Sequence, residues 1–172
     1  THILSDFADH ALDQAIEAAI QERMPGGPNQ GFAVIALGKH GGRELNYSSD
    51  IDPIFLFDPK TLPHREGEDV AEAAVRYGRR VIALLSALDG DGYVFRVDMR
   101  LRPSPEVSPI VLPVEAAIGY YESSALAWEQ AAFIRARVSS GDRMLCAYFM
   151  HAITPFIWRK SLDFGQLKNI TA

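Results

Sequence analysis

Residues 38–52 read Gly38-Lys39-His40-Gly41-Gly42-Arg43-Glu44-Leu45-Asn46-Tyr47-Ser48-Ser49-Asp50-Ile51-Asp52. Before this stretch stands Phe32–Leu37, a six-residue apolar run with the length and branching of a buried strand, and Ile51–Phe57 reads as a second strand after it. The 13 residues from Gly38 to Asp50 are too few for a crossover carrying a full helix, which argues against a dinucleotide-binding unit. A Walker loop also fails, because Ala33 stands where its first glycine belongs and His40 follows Gly38-Lys39. Asp50 and Asp52 lie two apart at a strand entrance, so both side chains face one way while Ile51 faces the other. That pair is a claw for a divalent cation. The glycines after the first strand let backbone N–H groups close around phosphate oxygens. Taken singly, Asp-x-Asp more often marks a solvated cap and Gly-Gly a turn; the order of strand, Gly-Gly loop, Asp-x-Asp strand, helix and Asp-bearing strand carries the specificity.

Working outward, apolar residues at Leu4, Phe7, Ala8, Ala11, Leu12, Ala15, Ile16, Ala19 and Ile20 predict a helix near residues 3–24, stopped by Pro25-Gly26-Gly27-Pro28. Val70, Ala74, Tyr77, Val81, Leu84, Leu85 and Leu88 predict a second amphipathic helix ending at Asp89-Gly90. From Tyr93 to Leu101 apolar odd positions alternate with Arg96, Asp98 and Arg100, which predicts a third strand with a polar face. Pro103, Pro105 and Pro109 make the next segment irregular, with a short strand over Ile110–Leu112. Glu115–Glu122, Leu126–Val138 and Asp142–Ile153 have helical spacing, and a last segment follows Pro155. The expected architecture is α/β in the α+β sense: a small mixed sheet flanked by helices and followed by a helical layer. Its expected parts are an N-terminal helix and linker over 1–30, a catalytic core over 31–113 and a helical extension over 114–172.

The chain has 172 residues, 48% hydrophobic and 23% charged, enough for one real core. Its net charge of −5 argues against nucleic acid as the main partner. The apolar run from Met144 to Met150 is far shorter than the roughly 18 to 20 residues that span a bilayer, and no export signal is visible, so no membrane is expected and the cytoplasm is the expected compartment. Cys146 within that run reads as a buried structural thiol. His2, His10, His40, His64 and His151 show no zinc spacing and read as surface or core residues. Trp128 and Tyr120-Tyr121 read as packing residues.

Asp98, with Arg96, Arg100 and Arg102 beside it, completes a three-carboxylate set with Asp50 and Asp52. All-oxygen ligands suit Mg²⁺, or Mn²⁺, which commonly bridges carboxylates to substrate phosphates. Gly41, Gly42 and Ser49 are the candidate phosphate cradle, and Arg100 or Arg102 the group that meets developing charge.

The motifs Gly38-Lys39-x-Gly41-Gly42-Arg43-Glu44-Leu45-Asn46-x-Ser48-Ser49-Asp50-Ile51-Asp52 and Phe95-Arg96-Val97-Asp98-Met99-Arg100-Leu101-Arg102-Pro103 resemble the glutamine synthetase adenylyltransferases, the bifunctional adenylylating and adenylyl-removing enzymes of bacterial nitrogen control. Trp128-Glu129-x-x-Ala132-x-Ile134-x-Ala136-Arg137 and Gly141-Asp142 add to the likeness, which runs from about residue 30 to 165. It implies the polymerase β-like nucleotidyltransferase fold, a chain excised from a longer two-domain enzyme, ATP or ADP and inorganic phosphate as small substrates and products, glutamine synthetase as protein substrate, and a PII signal protein as regulator. Arg96-Val97-Asp98-Met99-Arg100 and the tail from Pro155 to Phe164 resemble the N-terminal copy, which implies removal of AMP from a tyrosine by phosphorolysis. The alternatives are the copy that attaches AMP from ATP, and a silent docking module. The chain departs from the family pattern at His40, where leucine is usual, at Pro53, where an aliphatic residue is usual, and over Ser104–Ser108, which lacks the usual glycines.

Overall fold

A computed structural model describes residues 2–158. Helix α1 (His2–Arg23) leads into strand β1 (Phe32–Leu37), whose six residues are all buried. A single helical turn, α2 (Gly38–Gly41), and a loop then deliver strand β2 (Asp52–Phe57). Helix α3 (Val70–Ser86) starts where the Asp69 carboxylate accepts from the Glu72 N–H at 3.0 Å, a cap worth about 1 kcal/mol. Strand β3 (Val111–Pro113), helices α4 (Val114–Ser123) and α5 (Ala127–Ala132), strand β4 (Arg137–Gly141) and helix α6 (Arg143–Ile157) follow.

The sheet order is β3-β2-β1-β4, antiparallel at β1/β2 and β1/β4 and parallel at β2/β3. Period-2 alternation divides the two central strands between two cores. Phe32 and Val34 with Phe55 and Phe57 pack under α1 and α3, whereas Ala33, Ile35 and Leu37 with Ile54 and Leu56 pack under α4 and α6. The mixed sheet flanked by helices matches the expected fold class.

Three expectations fail. The Tyr93–Leu101 alternation does not become a strand: this segment touches the sheet through one parallel bridge, with Ile51 N–H donating to Arg96 O at 3.0 Å and Asp98 N–H to Ile51 O at 2.9 Å. Phe95 is buried, but Tyr93 is exposed, so the apolar row is not one face. Leu126–Val138 is likewise not one helix. It breaks after α5 into a tight turn over Phe133–Arg135, and the chain enters β4 at Arg137. β4 hides from sequence reading because Arg137-Val138-Ser139-Ser140-Gly141 is largely polar; its two hydroxyls donate to the carboxylate and the backbone oxygen of Asp9 on α1. Helix α6 also runs through Pro155 instead of stopping before it, so its last turn lacks the hydrogen bond that a proline nitrogen cannot donate.

Pro53 is accommodated by the same edge geometry. Alternate residues of β2 aim their N–H groups the same way, and Ile51 aims its own at Arg96 while β3 begins only opposite Phe55. Residue 53 falls between the two, where no ladder acceptor waits for the donor that proline lacks.

Candidate active site

The register of the sheet builds the site. Leu37, the last residue of β1, pairs with Asp52, the first of β2, so the start of α2 lies against the Asp52 carboxylate. Gly38 has φ +56°, and a Cβ there would overlap Asp52 Oδ2, so this approach requires glycine. In the parallel bridge Ile51 and Val97 share one side, toward the core under α1 and α3. Their neighbours Asp50, Asp52, Arg96 and Asp98 consequently share the other. One bridge therefore does the placing that the expected third strand would have done, and it brings the predicted acids together.

The electrostatics reflect that convergence. Burial, then the negative charges of Asp98 and Asp50, push the Asp52 carboxyl up to about 6, while Arg100 and Lys39 pull in the opposite direction. Arg100 reaches Asp98 with its Nε and Nη2, the latter at 2.6 Å, and holds the Asp98 carboxyl below its ordinary value. Arg96 bonds Asp50 at 2.5 Å and Ser48 O at 2.8 Å and lies over the Tyr93 ring. With the outer acids turned to guanidiniums, no group of three His, Cys, Asp or Glu among the described residues stands ready-arranged around an ion. The donor chemistry nonetheless fits a hard divalent cation: three carboxylates, close enough to raise the pKa of the innermost, with no soft ligand beside them.

The predicted phosphate groups are placed less uniformly. Gly41 is buried, and a Cβ on it would overlap the carbonyl oxygens of Arg135 and Ala36, so close backbone packing accounts for this glycine. Gly42 is partly exposed, and its N–H donates to Gly38 O at 3.0 Å. The Ser49 hydroxyl donates to Asn46 Oδ1 at 2.7 Å and closes the turn before Asp50. Arg100 faces the acids, but Arg102 spends its guanidinium on the carbonyls of Met99, Pro105 and Ser108, holding the loop after Asp98.

Lys39, two residues past the Leu37–Asp52 pair, also acts on Asp52 and was not singled out from sequence; its position directly after β1 was the available signal. A second group, Asp9 with His40, Arg137 and Ser139, escaped sequence reading because it joins residues about 30 to 130 positions apart. His40 and Cys146 are both buried, as expected of a core histidine and a structural thiol, and burial pushes the Cys146 thiol up to about 11. Tyr121 packs against Phe133 and Phe149, but Trp128 is half exposed, so the packing reading holds for the tyrosine and not for the tryptophan. Its neighbour Glu129 is buried and accepts from the Leu126 N–H and the Tyr120 hydroxyl. Within the described residues no helix is long and apolar enough to cross a membrane. The tail beyond Trp158, part of the likeness to the N-terminal copy, lies outside the described residues.

Comparison with known proteins bears on the family. A family model described as Glutamate-ammonia ligase adenylyltransferase matches residues 1–152. The chain is similar to bifunctional glutamine synthetase adenylyltransferase/adenylyl-removing enzymes: 42% identical to that of Caulobacter vibrioides over 99% of the chain, 41% to that of Rhizobium meliloti over 97%, and 40% to that of Xanthobacter autotrophicus over 100%. It spans 18% of the length of each of these relatives. A family match over most of the chain, on residues whose acids the fold gathers at one sheet edge, makes this chain a member of the glutamate-ammonia ligase adenylyltransferase family.

Proposed function

We propose that this chain is a nucleotidyltransferase unit that removes AMP from an adenylylated tyrosine of glutamine synthetase by phosphorolysis, releasing ADP. The observation that carries the reading is the single bridge between Ile51 and Val97, which sets Asp50, Asp52 and Asp98 on one side of the sheet edge. The likeness of Arg96–Arg100 to the N-terminal copy of the family supports removal over attachment. The same reading makes a PII signal protein the regulator of the longer enzyme.

An oxygen of inorganic phosphate forms a bond to the adenylyl phosphorus as the bond from that phosphorus to the tyrosine oxygen breaks; tyrosinate leaves and takes up a proton, and the nucleotide product is ADP. Asp50, Asp52 and Asp98 would hold Mg²⁺ or Mn²⁺, whose contribution when bound is to neutralise charge on the phosphoryl oxygens. Arg100, 85% exposed at its side chain, is free to turn from Asp98 toward those oxygens, and a guanidinium fork suits them. Gly42 offers a partly exposed backbone at the loop, Ser49 fixes the turn that presents Asp50, and Lys39 adds positive charge beside Asp52. Gly41 and Arg102 serve by packing the turn and holding the loop.

The test is to offer adenylylated glutamine synthetase and phosphate and to measure ADP. ADP formation that D50N/D52N lowers by about two decades or more is expected, the scale of losing a dedicated electrostatic stabiliser. No ADP, together with transfer of labelled AMP from ATP to unmodified glutamine synthetase, would replace removal by attachment. Equal rates in the double variant and the unsubstituted chain would remove the acids from the mechanism.

A further inference from the structure

Behind the Gly38–Gly42 turn lies a polar cluster that the chemistry above does not use. Asp9, on α1, accepts from His40 Nε2 at 2.7 Å, from Arg137 Nη1 at 2.6 Å and Nη2 at 3.2 Å, and from the Ser139 hydroxyl at 2.6 Å. Arg137 Nη2 also donates to the backbone oxygen of His40 at 3.1 Å. His40 is thus gripped at its ring from α1 and at its peptide from β4. Attaching α1 to β4 does not need this grip, because Gly141 N–H donates to Asp13 and the Ser140 hydroxyl donates to the Asp9 carbonyl, while Arg143 on α6 pairs with Asp13. Nor does packing need a histidine. His40 is 0% exposed and its Nδ1 is buried with no hydrogen-bond partner, a cost that an apolar side chain of similar size avoids.

What the grip does constrain is α2. A helix of one turn does not hold itself together, and α2 has no side-chain cap at its start. Its first residue, Gly38, touches the Asp52 carboxylate closely enough that a methyl group would not fit, and its second, Lys39, bears on the same acid. A displacement of the turn therefore displaces the innermost acid of the site.

We infer that Asp9, His40 and Arg137 are positioning residues that lock the α2 turn against Asp52 and thereby set the divalent-cation affinity of the carboxylate group. The inference rests on the nucleotidyltransferase reading above. Its test is calorimetric titration of the chain with Mn²⁺ alone, paired with thermal melting. H40L is expected to keep its melting temperature within a few degrees while weakening Mn²⁺ binding about tenfold, and H40Q, whose amide can donate to Asp9, to restore affinity to within about twofold. V81A, in the α1/α3 core on the side of the sheet away from the acids, is expected to lower the melting temperature and leave Mn²⁺ affinity unchanged, which separates positioning from loss of stability. If H40L does not fold, R137K decides, since lysine keeps the charge for Asp9 but lacks the fork that also reaches the His40 carbonyl; a several-fold loss of affinity is expected. Unaltered Mn²⁺ affinity in the folded variant, while D50N/D52N abolishes binding, overturns the inference alone. If the unsubstituted chain binds Mn²⁺ no better than D50N/D52N, the carboxylate reading falls and the inference with it.

Discussion

Asp9 and Asp52 are both partly buried carboxylates, yet their surroundings act in opposite directions. Burial alone would raise the Asp9 carboxyl, but hydrogen bonds from His40, Arg137 and Ser139 outweigh it and hold the group at about 2, below the ordinary 3.8. A depressed pKa stabilises the fold above pH 3.8 and loses that contribution as pH falls toward 2. D9N is therefore expected to cost about 2 kcal/mol at pH 7, and urea melts should show the difference from the unsubstituted chain shrinking below about pH 4. Asp52 is pushed the other way, to about 6, by burial and by Asp98 and Asp50. A raised pKa favours the fold below 3.8 and that contribution is lost as pH rises through 6. In EDTA, D52N is expected to be more stable than the unsubstituted chain at pH 7 by about 1–2 kcal/mol, after discounting for solvent screening, with the gain gone by about pH 4.

At the scale of elements, the two neighbouring glycines of the α2 turn make unlike demands. A Cβ at Gly41 meets two backbone carbonyl oxygens that cannot rotate away, whereas one at Gly42, φ −75°, meets nothing nearer than 3.5 Å. G41A is expected to lose about 2–4 kcal/mol in a thermal or urea melt; G42A should melt like the unsubstituted chain or slightly higher, since alanine narrows the unfolded ensemble. Sequence reading treats these glycines alike, because the oxygens that distinguish them come from the fold, Ala36 O from the end region of β1 and Arg135 O from a turn more than 90 residues later. The same limit explains which elements were legible. Phe32–Leu37 is apolar throughout because both faces of β1 are covered, and such a run announces itself without its partners. The Tyr93–Leu101 alternation encodes a division of faces correctly around Val97, but alternation does not say whether a neighbouring strand continues alongside, and beyond one bridge none does. β4 is the converse: a strand whose polar side chains satisfy α1 and whose pairing with β1 no local pattern announces.

For the molecule as a whole, two cores share one sheet, and β1 contributes alternate side chains to each. The acids extend the row of Ile54 and Leu56 past the end of the helical cover, so the candidate site is the place where a buried row runs out into solvent. That much follows from period-2 spacing, which is why Asp50 and Asp52 could be chosen from sequence; the partners that position them could not, since they arrive from α1 and β4. The bridge at Ile51 has a further consequence. Two hydrogen bonds to Ile51, the Arg96–Asp50 pair and the buried Phe95 tie the Asp98 segment to the sheet entrance, while Asp52 opens a strand paired along its full length and Asp50 stands just before it. The three candidate acids thus belong to two separate lengths of chain, one set in the sheet and one joined to it at a single rung, so their spacing depends on that rung.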